Sequence, residues 1–196
     1  MLLLADTSRY TRGAISVVAT LAQLAAAIAL LAVAGGGVPG VWPDGVGVYL
    51  VGDWPAPFGI VLVVDRLAAV MLTLTAVLGL ATLIYALARW DRAGVHFHSL
   101  FQFLLMGLNG AFLTGDLFNL FVFFEVLLAA SYGLLLHGSG VARVSAGLQY
   151  IAVNLVASFL LLISIALIYG VTGTLNMADL ALRAGKSWLN ASLAIK

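Results

Sequence analysis

The sequence contains no cysteine and very little charge. Without cysteine, disulfides, thiolate metal sites, iron–sulfur clusters and thiol catalysis are all excluded. Charged residues make up 9% of the 196 residues and the formal net charge is +1, so there is no basic run to neutralise the phosphates of a nucleic acid. We therefore expect no nucleic-acid partner, no metal site and no redox cofactor.

Hydrophobic residues account for 63% of the chain. Soluble domains are about half apolar and about a quarter charged, and a soluble fold of this size could not bury so much apolar surface. Within each long run, apolar residues would lie on all sides of a helix. They do not alternate with polar residues as in the strands of a membrane barrel. The composition therefore predicts an all-α integral membrane protein.

Five apolar runs are candidate transmembrane helices, because about 20 residues are needed to cross roughly 30 Å of hydrocarbon. The predicted spans are residues 14–34, 60–88, 98–114, 117–136 and 146–170. Residues 1–13 are then a cytoplasmic segment, and residues 171–196 an extracytoplasmic one. Thr114-Gly115-Asp116 joins the third and fourth spans, which predicts a tight helical hairpin with Asp116 as the N-cap.

The stretch from Gly35 to Phe58 is rich in glycine and proline. It contains Val46, Val48 and Leu50 among turn residues, which predicts a small β-hairpin outside the membrane between the first two spans. The basic residues of the loops favour a cytoplasmic N-terminus. An alternative for the first span is a cleaved signal peptide, but the apolar run is longer than the usual signal core.

Glu125 is the one ionisable side chain deep within a predicted span. Placing a carboxylate at that depth costs several kcal/mol on insertion scales, and its neighbours one turn away are apolar. The side chain therefore needs a cationic partner, a water-filled cavity or a bound proton. These are also the requirements of a proton relay. The alternative is a protonated glutamic acid that only bonds a neighbouring helix.

Other polar residues in the spans are candidates for a proton path. Each of them can instead form an interhelical hydrogen bond worth about 1 kcal/mol. His96, His98 and His137 are predicted to be solvated loop residues, since no acidic or cysteine partners complete a metal set. The path candidates are Asn109, Asn119, Tyr132, Asn154 and Ser158.

Three strings resemble the D subunit of the Mrp-type multisubunit sodium/proton antiporters, which belongs to the complex I-like antiporter subunits. They are FQFLLMGLNGAFLTGDLFNLFVFFE (residues 101–125), GDWPAPFGI (residues 52–60) and YGVTGTLNMADL (residues 169–180). The resemblance implies a subunit of fourteen helices with two inverted repeats, of which the five predicted spans match the second to the sixth.

The resemblance also implies a role for Glu125, which matches an essential glutamate paired in the family with a lysine on the seventh helix. No segment here matches that helix, and neither Lys186 nor Lys196 lies in a lysine-in-helix context. The partner cation is therefore expected from outside this sequence.

The leading hypothesis is a proton-translocating, non-enzymatic subunit of a monovalent cation (sodium)/proton antiporter complex in the bacterial cytoplasmic membrane. Its partners would be other membrane subunits, protons, monovalent cations and lipid. Two alternatives stay open. One is a pumping subunit of a complex I-like or membrane-bound hydrogenase assembly, and the other is a structural or assembly subunit without transport of its own.

Overall fold

The computed structural model describes residues 9–194 except residues 39, 43, 55–58, 95 and 139. Residues 1–8 of the predicted N-terminal segment and Lys196 lie outside the described residues. The helices are α1 (Arg9–Ala34), α2 (Arg66–Arg89), α3 (Phe97–Leu113), α4 (Leu117–Leu135), α5 (Val141–Thr172) and α6 (Met177–Ala194), and the strands are β1 (Gly47–Leu50) and β2 (Val61–Val64).

The described helices confirm the all-α membrane fold. By length and composition, four of them (α1, α2, α4 and α5) can cross a bilayer, and α3 is a shorter apolar helix of 17 residues. At 1.5 Å per residue, α3 is about 25 Å long, slightly less than the hydrocarbon thickness. Apolar side chains on α2 and α5 remain exposed, as expected for surfaces that meet lipid or other helices.

The predicted hairpin between the first two spans is confirmed. β1 and β2 are antiparallel, with Gly47 opposite Val64 and Leu50 opposite Val61. The second helix consequently starts later than the predicted residue 60, because Val61–Val64 are paired as a strand. Asp65 then caps α2, its carboxylate accepting a 2.7 Å hydrogen bond from the Ala68 backbone N–H.

The α3–α4 connection is a tight turn, and the prediction that Asp116 caps the following helix is confirmed. The Asp116 carboxylate accepts a 2.9 Å hydrogen bond from the Asn119 backbone N–H. Two glycines of α3 allow close packing: a Cβ on Gly107 would lie 2.7 Å from the Leu127 backbone nitrogen, and one on Gly110 would lie 2.2 Å from the Phe123 ring. The two helices therefore pack with little space between them.

Three connections meet at one end of the bundle, which we call the hairpin end. The Gly115 N–H donates to the Val61 carbonyl at 2.8 Å, joining the α3–α4 turn to β2. The same turn meets the α5–α6 connection, since the Leu117 N–H donates to the Leu175 carbonyl and the Met177 N–H donates to the Gly115 carbonyl, both at 2.9 Å. Backbone hydrogen bonds thus link the hairpin, α4 and α6.

The fifth helix is longer than its predicted span. α5 begins at Val141 and ends at Thr172, whereas the predicted span was 146–170. It ends later because Gly173 terminates it with a left-handed backbone conformation (φ 68°), which a glycine adopts without steric cost.

The predicted C-terminal segment contains a sixth helix. Asn176 caps α6 by accepting hydrogen bonds from the Ala178 and Asp179 N–H groups. The backbone of Lys186 lies within α6, so the expectation that this lysine has no helical context was wrong. Among the described residues, the helices long and apolar enough to cross a bilayer are α1, α2, α4 and α5, and α6 is not one of them.

Two of the three histidines at the opposite end of the bundle are buried, so the prediction that they are solvated was wrong for those two. His98 and His137 are 5% and 7% exposed, and His96 alone is exposed as predicted. His98 lies in the first turn of α3, with Nε2 3.9 Å from a carboxylate oxygen of Asp91. His137 packs against the Phe97 ring. Because aromatic side chains surround these histidines, this end of the bundle is a packed core. The prediction of solvated loops did not foresee it.

Candidate functional site

Glu125 lies near the middle of α4. It is eight residues from Leu117, about 12 Å along a helix of about 28 Å at 1.5 Å per residue. It is also the only glutamate in this sequence. Its side chain is half-buried rather than exposed. An apolar helix of this length therefore places a single carboxyl group at mid-depth.

Ser158 of α5 is the neighbour that the structure brings to Glu125. Its hydroxyl donates a hydrogen bond to Glu125 Oε1, joining residues 33 apart in the sequence. A hydroxyl that donates to a carboxylate forms a charge-assisted hydrogen bond, which is stronger than a neutral one. It is nevertheless a neutral partner. Helix α4 contains no lysine or arginine, and α5 contains only Arg143, close to its start.

Two further predicted residues lie at the same α4–α5 interface. The Tyr132 ring meets the Tyr150 ring edge-on, with centroids 5.8 Å apart. Asn154 lies one turn from Ser158 on the same face of α5, although its amide nitrogen donates to the Tyr150 carbonyl at 2.8 Å. We call these four residues, Glu125 and Tyr132 on α4 with Asn154 and Ser158 on α5, the α4–α5 row.

Asn119 and Asn109 lie elsewhere. Asn119 is buried, and its amide nitrogen donates at 2.9 Å to Thr114 Oγ1, where it holds the α3–α4 turn. Asn109 lies in a cavity between α1, α2 and α3, together with Gln23 and Leu72. The structure therefore divides the five path candidates among three places.

Sequence reasoning missed a second polar cluster, between α1 and α3. Gln102 donates from Nε2 to the carbonyl and hydroxyl oxygens of Ser16 and to Thr20 Oγ1, and its Oε1 accepts from Gln23 Nε2. Ser16, Thr20 and Gln23 recur at intervals of four and three residues in an otherwise apolar helix. That spacing puts them on one face and was the available signal.

Fold and site together define the class: a segment of a multi-helix membrane protein with one carboxyl group at mid-depth. A sequence profile of the family described as NADH:quinone oxidoreductase/Mrp antiporter, TM matches residues 114–195. The D subunit of a probable K(+)/H(+) antiporter of Rhizobium meliloti is 62% identical over 176 residues, 90% of this chain and 32% of that protein. The D subunit of the Na(+)/H(+) antiporter of Alkalihalophilus pseudofirmus is 47% identical over 148 residues, 74% of this chain and 30% of that protein.

Solved structures are similar too. A chain of the Mrp complex from Dietzia sp. DQ12-45-1b is 38% identical with a TM-score of 0.75, over 90% of this chain and 34% of that one. A chain of an archaeal membrane-bound sulfane sulfur reductase is 32% identical with a TM-score of 0.76, over 87% and 34%. This chain belongs to the family of Mrp antiporter D subunits and complex I antiporter-like membrane subunits, and it spans about a third of the length of these relatives.

Proposed function

We propose that this chain is part of the proton-translocating D subunit of a monovalent cation/proton antiporter complex in a bacterial cytoplasmic membrane, with Glu125 as its proton relay. The observation that carries the proposal is the position of Glu125 at the middle of α4, with the Ser158 hydroxyl as its hydrogen-bond partner. The proposed exchange of a monovalent cation for protons is supported by the names of the relatives, which are described as K(+)/H(+) and Na(+)/H(+) antiporter subunits.

The proposed relay follows from two properties of Glu125. Its carboxyl group lies at mid-depth in an apolar helix, and its hydrogen-bond partner is a neutral hydroxyl. A charged side chain at the centre of a membrane helix costs roughly 3 kcal/mol on insertion scales. One hydrogen bond to a charged group returns about 1.5–3 kcal/mol, so the Ser158 hydroxyl offsets much of that cost without supplying a counter-charge. A nearby change, such as the approach of a cation from another part of the protein, then decides whether the carboxyl group holds its proton. That is the requirement for a relay.

The α4–α5 row supplies the groups that pass the proton. Ser158 both donates and accepts through its hydroxyl, and the Tyr132 hydroxyl can do the same. Asn154 lies one turn before Ser158 on α5, and its amide nitrogen donates to the Tyr150 carbonyl of the same helix. We assign no part of this transfer to Asn109 or Asn119, because their side chains lie in other parts of the bundle.

A second candidate function is a pumping subunit of a respiratory membrane complex. The similarity to the sulfane sulfur reductase favours it, since its TM-score of 0.76 matches that of the Mrp complex chain. In either machine the chain carries no redox step, and Glu125 does the same work. Purification with companion subunits distinguishes them: small antiporter subunits identify the first, and iron–sulfur proteins the second.

The test replaces Glu125 in the full-length subunit, expressed with all companion subunits in a host that lacks its own cation/proton exchangers. Glu125→Gln and Glu125→Ala should abolish proton-coupled exchange in membrane vesicles while the complex still assembles. Asp179→Asn is the matched control, because it removes a carboxylate that pairs with Arg183 on α6, outside the apolar spans. It should keep exchange. Exchange at the wild-type rate in both Glu125 variants would rule out the relay.

A further inference from the structure

A cavity of about 160 Å³ lies between α1, α2 and α3, away from the α4–α5 row. Its lining combines aliphatic side chains, among them Ala27, Leu30 and Leu72, with two amides, Gln23 and Asn109. We propose that this cavity is a binding site for ordered water, held by the side-chain oxygens of Gln23 and Asn109. The proposal does not depend on Glu125 or on the ion that the protein transports.

The hydrogen bonds of Gln102 fix the orientation of the Gln23 amide. A backbone carbonyl can only accept, so the group of Gln102 that lies 3.2 Å from the Ser16 carbonyl must be its NH2. The other end of the Gln102 amide is then an acceptor, and it meets Gln23 at 3.1 Å. Gln23 must therefore present its own NH2 to Gln102. Its oxygen is left to point away from this network.

That oxygen is shielded and lacks a hydrogen-bond partner among the residues that the structure describes, and the same holds for Asn109 Oδ1. An acceptor left unsatisfied in an apolar interior costs about 1–3 kcal/mol. Both residues line the cavity. Two acceptors that share one cavity require a donor there, and the lining residues other than these two amides are aliphatic.

Water fits this requirement better than a cation does. A water molecule donates two hydrogen bonds, one for each oxygen, and the volume exceeds the 10–15 Å³ or so that one water needs. A monovalent cation would have to exchange its hydration shell for several oxygens, as it does in a filter of carbonyl groups. Two neutral amide oxygens, with no carboxylate among the lining residues, cannot replace that shell.

Water at this site would lengthen the polar cluster along α3. Gln102 and Asn109 are seven residues apart, about 10 Å along the helix axis, and they face the same side. One connected hydrogen-bond network already exists at the Gln102 end of this stretch, formed by the side chains of Ser16, Thr20, Gln23 and Gln102. Water between Gln23 and Asn109 continues it toward the hairpin end, as a hydrated row separate from that of Glu125.

The absence of cysteine from this sequence makes the test direct. Ala27→Cys is placed in the full-length protein within its complex, with any cysteines of the other segments replaced, and its reaction with a small water-borne methanethiosulfonate is timed in membrane vesicles. Ala27 lines the cavity, whereas the control Ala76→Cys lies on α2, is 1% exposed and is not a lining residue. We expect the thiol at position 27 to react at least tenfold faster, because the thiolate that reacts forms only where water is present.

The second arm removes the oxygens. Asn109→Leu leaves the Gln102 hydrogen bonds in place and should slow the reaction at position 27 about tenfold, with Gln23→Leu as an independent variant. Reaction at position 27 no faster than at position 76 overturns the proposal, as does a rate unchanged by both leucine variants. Slowing by Na⁺ or K⁺, relative to choline, would show a cation at the site in place of water and would also overturn it.

Discussion

The Ser158 hydroxyl donates directly to the Glu125 carboxylate, across the interface of two helices that are each long and apolar enough to span a bilayer. Few side chains of α5 are buried: Gly147 near its start and Ile165 near its end are the buried residues among those described. The interface between α4 and α5 is therefore small, and the Glu125–Ser158 hydrogen bond is a main polar contact within it. This hydrogen bond joins the Glu125 carboxyl group to the facing side of α5.

Removing that hydroxyl tests whether Ser158 positions the relay. Ser158→Ala should reduce the exchange rate of the full complex roughly tenfold, because a hydrogen bond to a charged group contributes about 1.5–3 kcal/mol and 1.4 kcal/mol is a factor of ten. Ser158→Thr keeps the hydroxyl and should recover most of the rate. Initial rates of proton-coupled exchange in vesicles measure both variants.

The control for this substitution is Ser164→Ala on the same helix. Ser164 is exposed, and its hydroxyl bonds the Leu160 carbonyl of its own helix at 2.8 Å, so its loss should leave exchange unchanged. If Ser158→Thr were as slow as Ser158→Ala, packing at position 158 would account for the effect and the hydroxyl would have no positioning role.

Close packing of α3 on α4 makes Gly107 a sensitive position. A Cβ there would lie 2.7 Å from the Leu127 backbone nitrogen and 2.9 Å from its Cα, and a helix backbone cannot move aside as a side chain can. We expect Gly107→Ala to destabilise the protein by about 1–3 kcal/mol through overpacking. The melting temperature of the purified full-length complex should fall by several degrees.

Gly170→Ala is the matched control for the glycine test. It makes the same change in α5 at a position where an added Cβ meets nothing within 4 Å. Alanine favours a helix by about 1 kcal/mol over glycine, so stability should stay the same or rise. Equal melting temperatures for Gly107→Ala and Gly170→Ala would contradict close contact between α3 and α4.

Local signals in the sequence predicted the parts of the fold that depend on neighbouring residues. Thr114-Gly115-Asp116 indicated a turn followed by a capped helix, and the structure confirms it. Asn176, followed three residues later by Asp179, is the same kind of helix-start signal, and it was available for α6 although the predicted C-terminal segment assigned no helix there. The start of the second span was placed too early because Val61–Val64 are as apolar as the helix that follows them.

The site depended on contacts that no local pattern reveals. Glu125 stood out because a lone carboxyl group in an apolar run is costly wherever it points. Its pairing with Ser158, 33 residues away, and that of Gln102 with Ser16, 86 residues away, arise only from how the helices pack. The buried histidines were missed for the same reason, because the aromatic residues around His137 come from different segments.

Asp116 offers the sharpest test of the hairpin end, because its carboxylate is buried and caps α4 while its neighbours bond β2 and the α5–α6 connection. Asp116→Ala should cost about 0.5–2 kcal/mol, the usual loss for a helix cap, and should lower the melting temperature of the full-length complex. Asp116→Asn keeps an acceptor oxygen and should retain most of the stability. Asp65→Ala, at an exposed cap of α2 with an equivalent 2.7 Å bond, should have the smaller effect because water can satisfy the freed N–H. Equal losses for the alanine and asparagine variants at position 116 would mean that the negative charge, and not the cap, stabilises this end of the bundle.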